Sequence, residues 1–172
     1  SRRHTCPNSP INRQYSERIV AEMAARYGRD PRIIGWQIDN EFGGGKTGRC
    51  YCPHCAAAFR EWLQKRYGRI DALNKAWGTI FWSQTYADWS EIEPPDDSID
   101  KKNPSHLLDY FRFSSDSIGA YQQLQADLIR AHAPNQFVTH NFMGLYLDLN
   151  QFDLAAPLDF VTWDNYPTGN PE

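Results

Sequence analysis

The sequence predicts an α/β chain whose strands run parallel, and three observations carry that expectation. Helical and strand-like segments alternate along the 172 residues, in the order helix, strand, helices, strand, strand. The segments between strands are long enough for crossovers, which parallel neighbours require. Each strand also ends in polar residues: Asp39-Asn40-Glu41, His140-Asn141 and Asp164-Asn165-Tyr166. Functional groups gathered at C-terminal strand ends are a feature of TIM-barrel enzymes. Three strands fit either an open α/β domain or a slice of a (β/α)8 barrel.

Taken in order, Ser9 reads as an N-cap with Pro10 at the first helical position, and Gly28 reads as a stop. Between them Ile11, Tyr15, Ile19, Met23 and Tyr27 recur every four residues, so one helical face is apolar. Residues 33–38 form a short strand with few charges, expected to be buried on both sides. A long loop comes next over 41–54, then two short helices over 56–67 and 70–77. Residues 78–103 are irregular and rich in Trp, Asp and Pro, and Pro104 opens a long helix to about Ala133. Two further strands lie near 136–141 and 160–164, joined by a Leu/Asp-rich connection.

Composition narrows the function classes. Lys and Arg number 18 against 21 Asp and Glu, a net charge of −3 with no basic run, which leaves no electrostatic footprint for nucleic acid. No apolar segment approaches the roughly 20 residues of a membrane span. No apolar stretch comes after Arg2 and Arg3, so the first residues do not read as a secretory signal. Aromatic residues are abundant at 14%, which fits a generous core or a site that stacks on flat ligands.

The segment WQIDNEFGGG, residues 36–45, places two carboxylates and an amide at a strand tip, where burial would be costly. The three glycines after it imply a close approach to the backbone by a phosphate, a metal or a sugar. A phosphate loop is disfavoured. The run Gly43-Gly44-Gly45-Lys46-Thr47 has Asn40 where the first motif glycine belongs, and the residues after Thr47 do not read as a helix start.

Cys50, Cys52 and Cys55 fall as C-x-C-x-x-C, with Cys6 far upstream. Thiolates at this spacing suit a closed tetrahedral zinc site, and four sulfurs complete one. A disulfide with two spare thiols, or four reduced core cysteines, are the alternatives. With four protein ligands the metal would hold the loop over 42–55 and not catalyse.

Glu41 at a strand end can act as a general acid if partial burial raises its pKa, and Asn40 beside it can hydrogen-bond a substrate hydroxyl. The alternative is that Glu41 pairs with an arginine or caps a helix. The segment WGTIFWSQTYADW, residues 77–89, holds three tryptophans with Phe81 and Tyr86. Such rings serve a core, and a single exposed one serves as a platform for a pyranose face.

These residues together resemble the β-galactosidases of glycoside hydrolase family 42. The resemblance rests on Arg2-Arg3-His4-x-Cys6-Pro7-Asn8-Ser9-Pro10, Trp36-Gln37-x-Asp39-Asn40-Glu41, the cysteine cluster, Trp77-Gly78-Thr79-x-Phe81-Trp82-Ser83-Gln84 and Trp163-Asp164-Asn165-Tyr166-Pro167. It covers nearly the whole chain. It implies part of a (β/α)8 TIM barrel, from the helix before strand 4 through strand 6, and a retaining β-galactosidase acting by double displacement. Glu41 would be the acid/base, Asn40 would contact the 2-hydroxyl, Trp82 would line the galactose subsite and Tyr166 would sit close to the nucleophile. Cys6, Cys50, Cys52 and Cys55 match the family's zinc ligands. The family is typically intracellular and often trimeric, so a cytoplasmic homotrimer acting on a β-galactoside is implied.

A retaining glycosidase needs a second carboxylate as nucleophile. In the family it is a Glu on strand seven, which lies outside this chain. Glu172 matches no nucleophile motif, and Asp164 belongs to the motif leading to Tyr166. The chain by itself is therefore expected to be inactive. Two alternatives are a zinc-organised interaction module without catalysis and a related retaining β-glycosidase of other sugar specificity.

Overall fold

The computed structural model describes residues 5–95, 103–167 and 169, the side chain of Trp82 excepted. Helix α1, Pro10–Tyr27, is capped as its sequence predicts: the Ser9 side chain accepts from the Asn12 amide and the Gly28 amide closes on the Ala24 carbonyl. Strand β1 is Gly35–Asn40. Helix α2, Pro53–Tyr67, begins three residues before the expected Ala56, because Pro53 occupies the first helical turn behind Cys52. Helix α3, Ile70–Trp77, ends at Gly78 with φ 62°. Two single 3-10 turns, Phe81–Ser83 and Trp89–Glu91, punctuate the irregular segment beyond it. Helix α4, Pro104–His132, starts where the Asn103 side chain accepts from the Ser105 and His106 amides. Strand β2 (Phe137–Phe142), helix α5 (Gln151–Ala155) and strand β3 (Thr162–Trp163) complete the order.

The three strands form one parallel sheet in the order β1-β2-β3. Gly35 pairs with Phe137 and Asn40 with Asn141, with an irregularity between Gln37 and Asn40. Asn141 then pairs with Thr162. One sheet face packs on α4: Ile38, Val138 and Phe142 meet Ile118, Ala126 and Ile129 in a buried cluster. The other face, with Gln37, Thr139 and Asn141, lines an open cavity of about 610 Å³. The first strand is thus buried on one face, with Gln37 exposed beside buried Ile38, and not on both as its low charge predicted. A lone parallel sheet with helices on one side leaves its second face uncovered.

A second cluster forms between α2, α3 and the first half of α4, around Phe59, Leu63, Leu73, Trp77, Ile92, Tyr110 and Phe113. Asp109 is buried in this lobe and accepts from Tyr67 Oη at 2.5 Å and Trp77 Nε1 at 2.9 Å, with Arg112 at 3.1 Å. Those donors satisfy a charge that would otherwise be costly. Helix α4 is the common wall of the two clusters.

Helix α1 turns its larger apolar stripe outward. Ile11, Tyr15, Ile19, Met23 and Tyr27 are 40% to 66% exposed. The buried stripe is the smaller one, Ser16, Val20 and Ala24: Ser16 Oγ lies 2.5 Å from Tyr121 Oη, Val20 packs on the sheet cluster and Ala24 is fully buried. Small side chains let α1 approach α4 closely, and periodicity alone does not say which of two stripes meets the neighbour.

Candidate active site and thiol cluster

Asn40 and Glu41 stand at the C-terminal end of β1, and both are half-buried. Asp39 is exposed, so of the two carboxylates at the strand tip only Glu41 is partly buried. The backbone leaves the ladder here: Asp39 and Glu41 have φ of 49° and 50°. Asp39 Oδ1 accepts from the Asn40 amide at 2.7 Å, and the Glu41 amide donates to the Asn141 carbonyl at 2.9 Å. The turn after β1 is closed by the Gly44 amide on the Glu41 carbonyl at 2.9 Å.

Side chains from the three strand ends meet across the sheet edge. Asn141 Nδ2 donates to Asn40 Oδ1 at 2.7 Å and to Asp164 Oδ1 at 3.1 Å. Tyr166 Oη donates to Asp164 Oδ2 at 3.0 Å, with its ring 81% exposed. Asn40, its oxygen engaged by Asn141, presents its amide NH2 as a donor. Asn40, Glu41 and Tyr166 therefore share one edge. Asn141 is a bridging residue to which the sequence pattern assigns no role; its signal is the polar pair His140-Asn141 closing a strand.

Trp82 lies on the 3-10 turn Phe81–Ser83 after α3, and its side chain is outside the described residues. Of its aromatic neighbours, Trp77 is core, with its indole on Asp109, whereas Phe81 is 69% exposed.

The close approach implied by the glycines is made by a tyrosine. A Cβ on Gly43, whose φ is 84°, would lie 2.6 Å from Tyr146 Oη, and one on Gly48 would lie 2.7 Å from the same atom. Tyr146 Oη donates to the Gly43 carbonyl at 2.9 Å. Burial and the neighbouring Asp148 carboxylate push the Tyr146 phenol up to about 12, which keeps it a donor. The glycines make room for that ring.

Cys6, Cys50, Cys52 and Cys55 converge, their sulfurs all within 4.8 Å of one another. None is disulfide-bonded. Cys6 Sγ lies 3.3 Å from Cys55 Sγ and 3.4 Å from Cys52 Sγ. A tetrahedron with metal–sulfur bonds of about 2.3 Å has edges of about 3.8 Å, so small shifts would fit four thiolates around one ion. Contact with Cys50 pushes the Cys6 and Cys55 thiols up, whereas those two neighbours push Cys50 down. Asn8 donates to Cys6 Sγ through its amide at 3.3 Å and to Cys55 Sγ through Nδ2 at 3.4 Å, the outer support that metal thiolates receive. Tyr110 Oη donates to the Cys50 carbonyl at 2.5 Å, tying the cluster to the aromatic lobe. The four cysteines can hold a metal ion with every tetrahedral position taken by protein.

Known proteins align with nearly the whole chain. The family described as Beta-galactosidase, Glyco_hydro_42, matches residues 1–172. A β-galactosidase of Thermus thermophilus is 55% identical over 168 residues, covering 98% of this chain and 26% of the relative. The solved β-galactosidase of the haloarchaeon Halorubrum lacusprofundi superposes with a TM-score of 0.94 at 54% identity, over 98% of this chain and 25% of that one. The β-galactosidase of the psychrophilic Marinomonas ef1 gives the same TM-score, 0.94, at 42% identity, over 98% of this chain and 26% of that one. The chain thus spans about a quarter of the length of the relatives it matches. Its fold is part of their barrel, and the chain belongs to the β-galactosidase family Glyco_hydro_42.

Proposed function

We propose that this chain forms the acid/base side of the active site of a retaining β-galactosidase. The observation that carries the reading is the shared edge of the parallel sheet, where Asn141 binds the Asn40 and Asp164 side chains and accepts the Glu41 backbone amide, and Asp164 accepts from Tyr166. In this reading Glu41 protonates the glycosidic oxygen while a nucleophilic Glu from outside these residues attacks the anomeric carbon. The aglycone leaves and a covalent galactosyl-enzyme remains. Glu41, now a carboxylate, takes a proton from water as it displaces the nucleophile. Asn40 donates its amide to the 2-hydroxyl, Tyr166 stands beside the nucleophile and Trp82 lines the galactose subsite.

Cys6, Cys50, Cys52 and Cys55 would hold Zn²⁺, which in a four-sulfur site supplies structure and no open coordination position. The metal fastens the loop over 42–55, whose first residues come directly after Glu41. Thiolate ligands suit a reducing compartment, which supports a cytoplasmic location. The family resemblance supports a homotrimer for the complete enzyme. No described helix is long and apolar enough to cross a membrane.

Replacing Glu41 by Gln in the complete enzyme tests the assignment. With a poor leaving group such as phenol, kcat/KM should fall by about 10²–10⁴-fold. With 2,4-dinitrophenyl β-galactoside, whose leaving group needs no proton, it should stay near the parent value. Equal losses on both substrates would contradict the acid role.

A further inference from the structure

His140 is 1% exposed and lies on the helix-facing side of β2, under the segment that carries Glu41. Its Nδ1 lies 2.5 Å from the Ile38 carbonyl oxygen and its Nε2 lies 3.3 Å from the Phe42 amide nitrogen. A carbonyl only accepts and an amide N–H only donates. The ring is therefore neutral with its proton on Nδ1, a tautomer assigned by both partners at once. Phe42 stacks on the imidazole at 4.5 Å and 21°, and Phe142 meets it edge-on at 5.0 Å and 80°. The ring is held in one orientation.

The two backbone groups it binds belong to residues 38 and 42, so a single imidazole spans Asp39-Asn40-Glu41 from end to end. That tripeptide needs such a tie. The pairing of β1 with β2 is irregular between Gln37 and Asn40, and Asp39 and Glu41 both hold positive φ, which costs residues that carry a Cβ. Strand β2 answers on both of its faces. His140 binds the ends of the kink on the helix side, and Asn141 receives the Glu41 amide on its carbonyl and binds the Asn40 side chain on the open side.

We propose that His140 is a positioning residue for Glu41: it fixes the kinked backbone of 38–42 and through it the direction of the Glu41 carboxyl group. It touches no substrate. This inference rests on the acid/base reading of Glu41, and its effect belongs to proton transfer to the leaving group.

The test uses the complete enzyme with His140→Phe and His140→Asn beside Glu41→Gln, and measures kcat/KM on phenyl and on 2,4-dinitrophenyl β-galactoside together with Tm. His140→Phe keeps an aromatic ring against Phe42 but offers neither hydrogen bond. His140→Asn retains a donor for the Ile38 carbonyl and serves if the Phe variant does not fold. The expected result is a loss on the phenyl substrate at least about tenfold greater than on the dinitrophenyl substrate for His140→Phe, and a smaller difference of the same sign for His140→Asn. Equal losses on both substrates, tracking a reduced folded fraction, would overturn the positioning role and leave His140 a core residue. Leaving-group bias in Glu41→Gln but in neither His140 variant would overturn it alone. Absence of bias in Glu41→Gln would remove the acid/base reading, and the positioning role would fall with it.

Discussion

Around Phe59 and Tyr110 the polar groups close on one another: Asp109 takes the Tyr67, Trp77 and Arg112 donors, and four sulfurs gather within 4.8 Å. At the ends of β1, β2 and β3 they border an open cavity: Asn40, Asn141 and Asp164 line it, Glu41 is half-buried and Tyr166 is 81% exposed. Both regions are rich in ionisable and aromatic side chains, so composition does not separate them. Position does. A polar set enclosed within a lobe holds structure, whereas one that borders an open cavity is equipped to meet a ligand.

That contrast predicts stability effects in the lobe and activity effects at the strand ends. The largest is expected from Cys55→Ser. Elemental analysis should show the loss of one metal ion per chain, and Tm should fall by on the order of 10 °C or more, with a chelator reproducing the shift in the parent protein. Activity per folded molecule should be retained; selective loss of activity at unchanged Tm would break the division. Next comes His106, which stacks on Trp77 at 4.7 Å and whose Nε2 is buried without a partner among the described residues. Burial pushes its pKa down to about 4. The unfolded chain takes up a proton near 6.5 that the folded lobe refuses, so stability is full above that pH and is lost as pH falls toward 4. Denaturation of His106→Phe at pH 7 and pH 4.5 should show a smaller drop than the parent, by on the order of 2 kcal/mol. Asn141→Ala should have the smallest effect and the opposite character. Losing its two hydrogen bonds should cost about 1–2 kcal/mol at the transition state, roughly tenfold or a little more in kcat/KM, with Tm nearly unchanged.

Much of this was legible in the residues. Helix α3 lies on its expected bounds and Pro104 opens α4, because proline and caps are local signals, and Cys50, Cys52 and Cys55 gather as their spacing predicted, with Cys6 joining them from far upstream. Facing was not legible. The large apolar stripe of α1 is exposed while Ser16, Val20 and Ala24 pack, since the partner helix α4 lies about 100 residues away in sequence and selects the stripe that fits it. The glycines after Glu41 correctly signalled a close approach, but its source, Tyr146, comes from the segment after β2, about 100 residues on, and no local pattern names it. Asn141 was visible as a strand-end amide, yet its bonds to Asn40 and Asp164 depend on register across three strands.

The central claim, that Glu41 is the acid/base and not the nucleophile, is tested most directly by azide rescue of Glu41→Ala in the complete enzyme acting on 2,4-dinitrophenyl β-galactoside. With the nucleophile intact, the galactosyl-enzyme forms and azide enters the space left by the carboxylate, displacing the nucleophile with inversion of that intermediate. The account predicts faster turnover with azide and a β-configured galactosyl azide. An α-configured azide would place the nucleophile at Glu41, and no azide product at all would remove the carboxylate from the reaction.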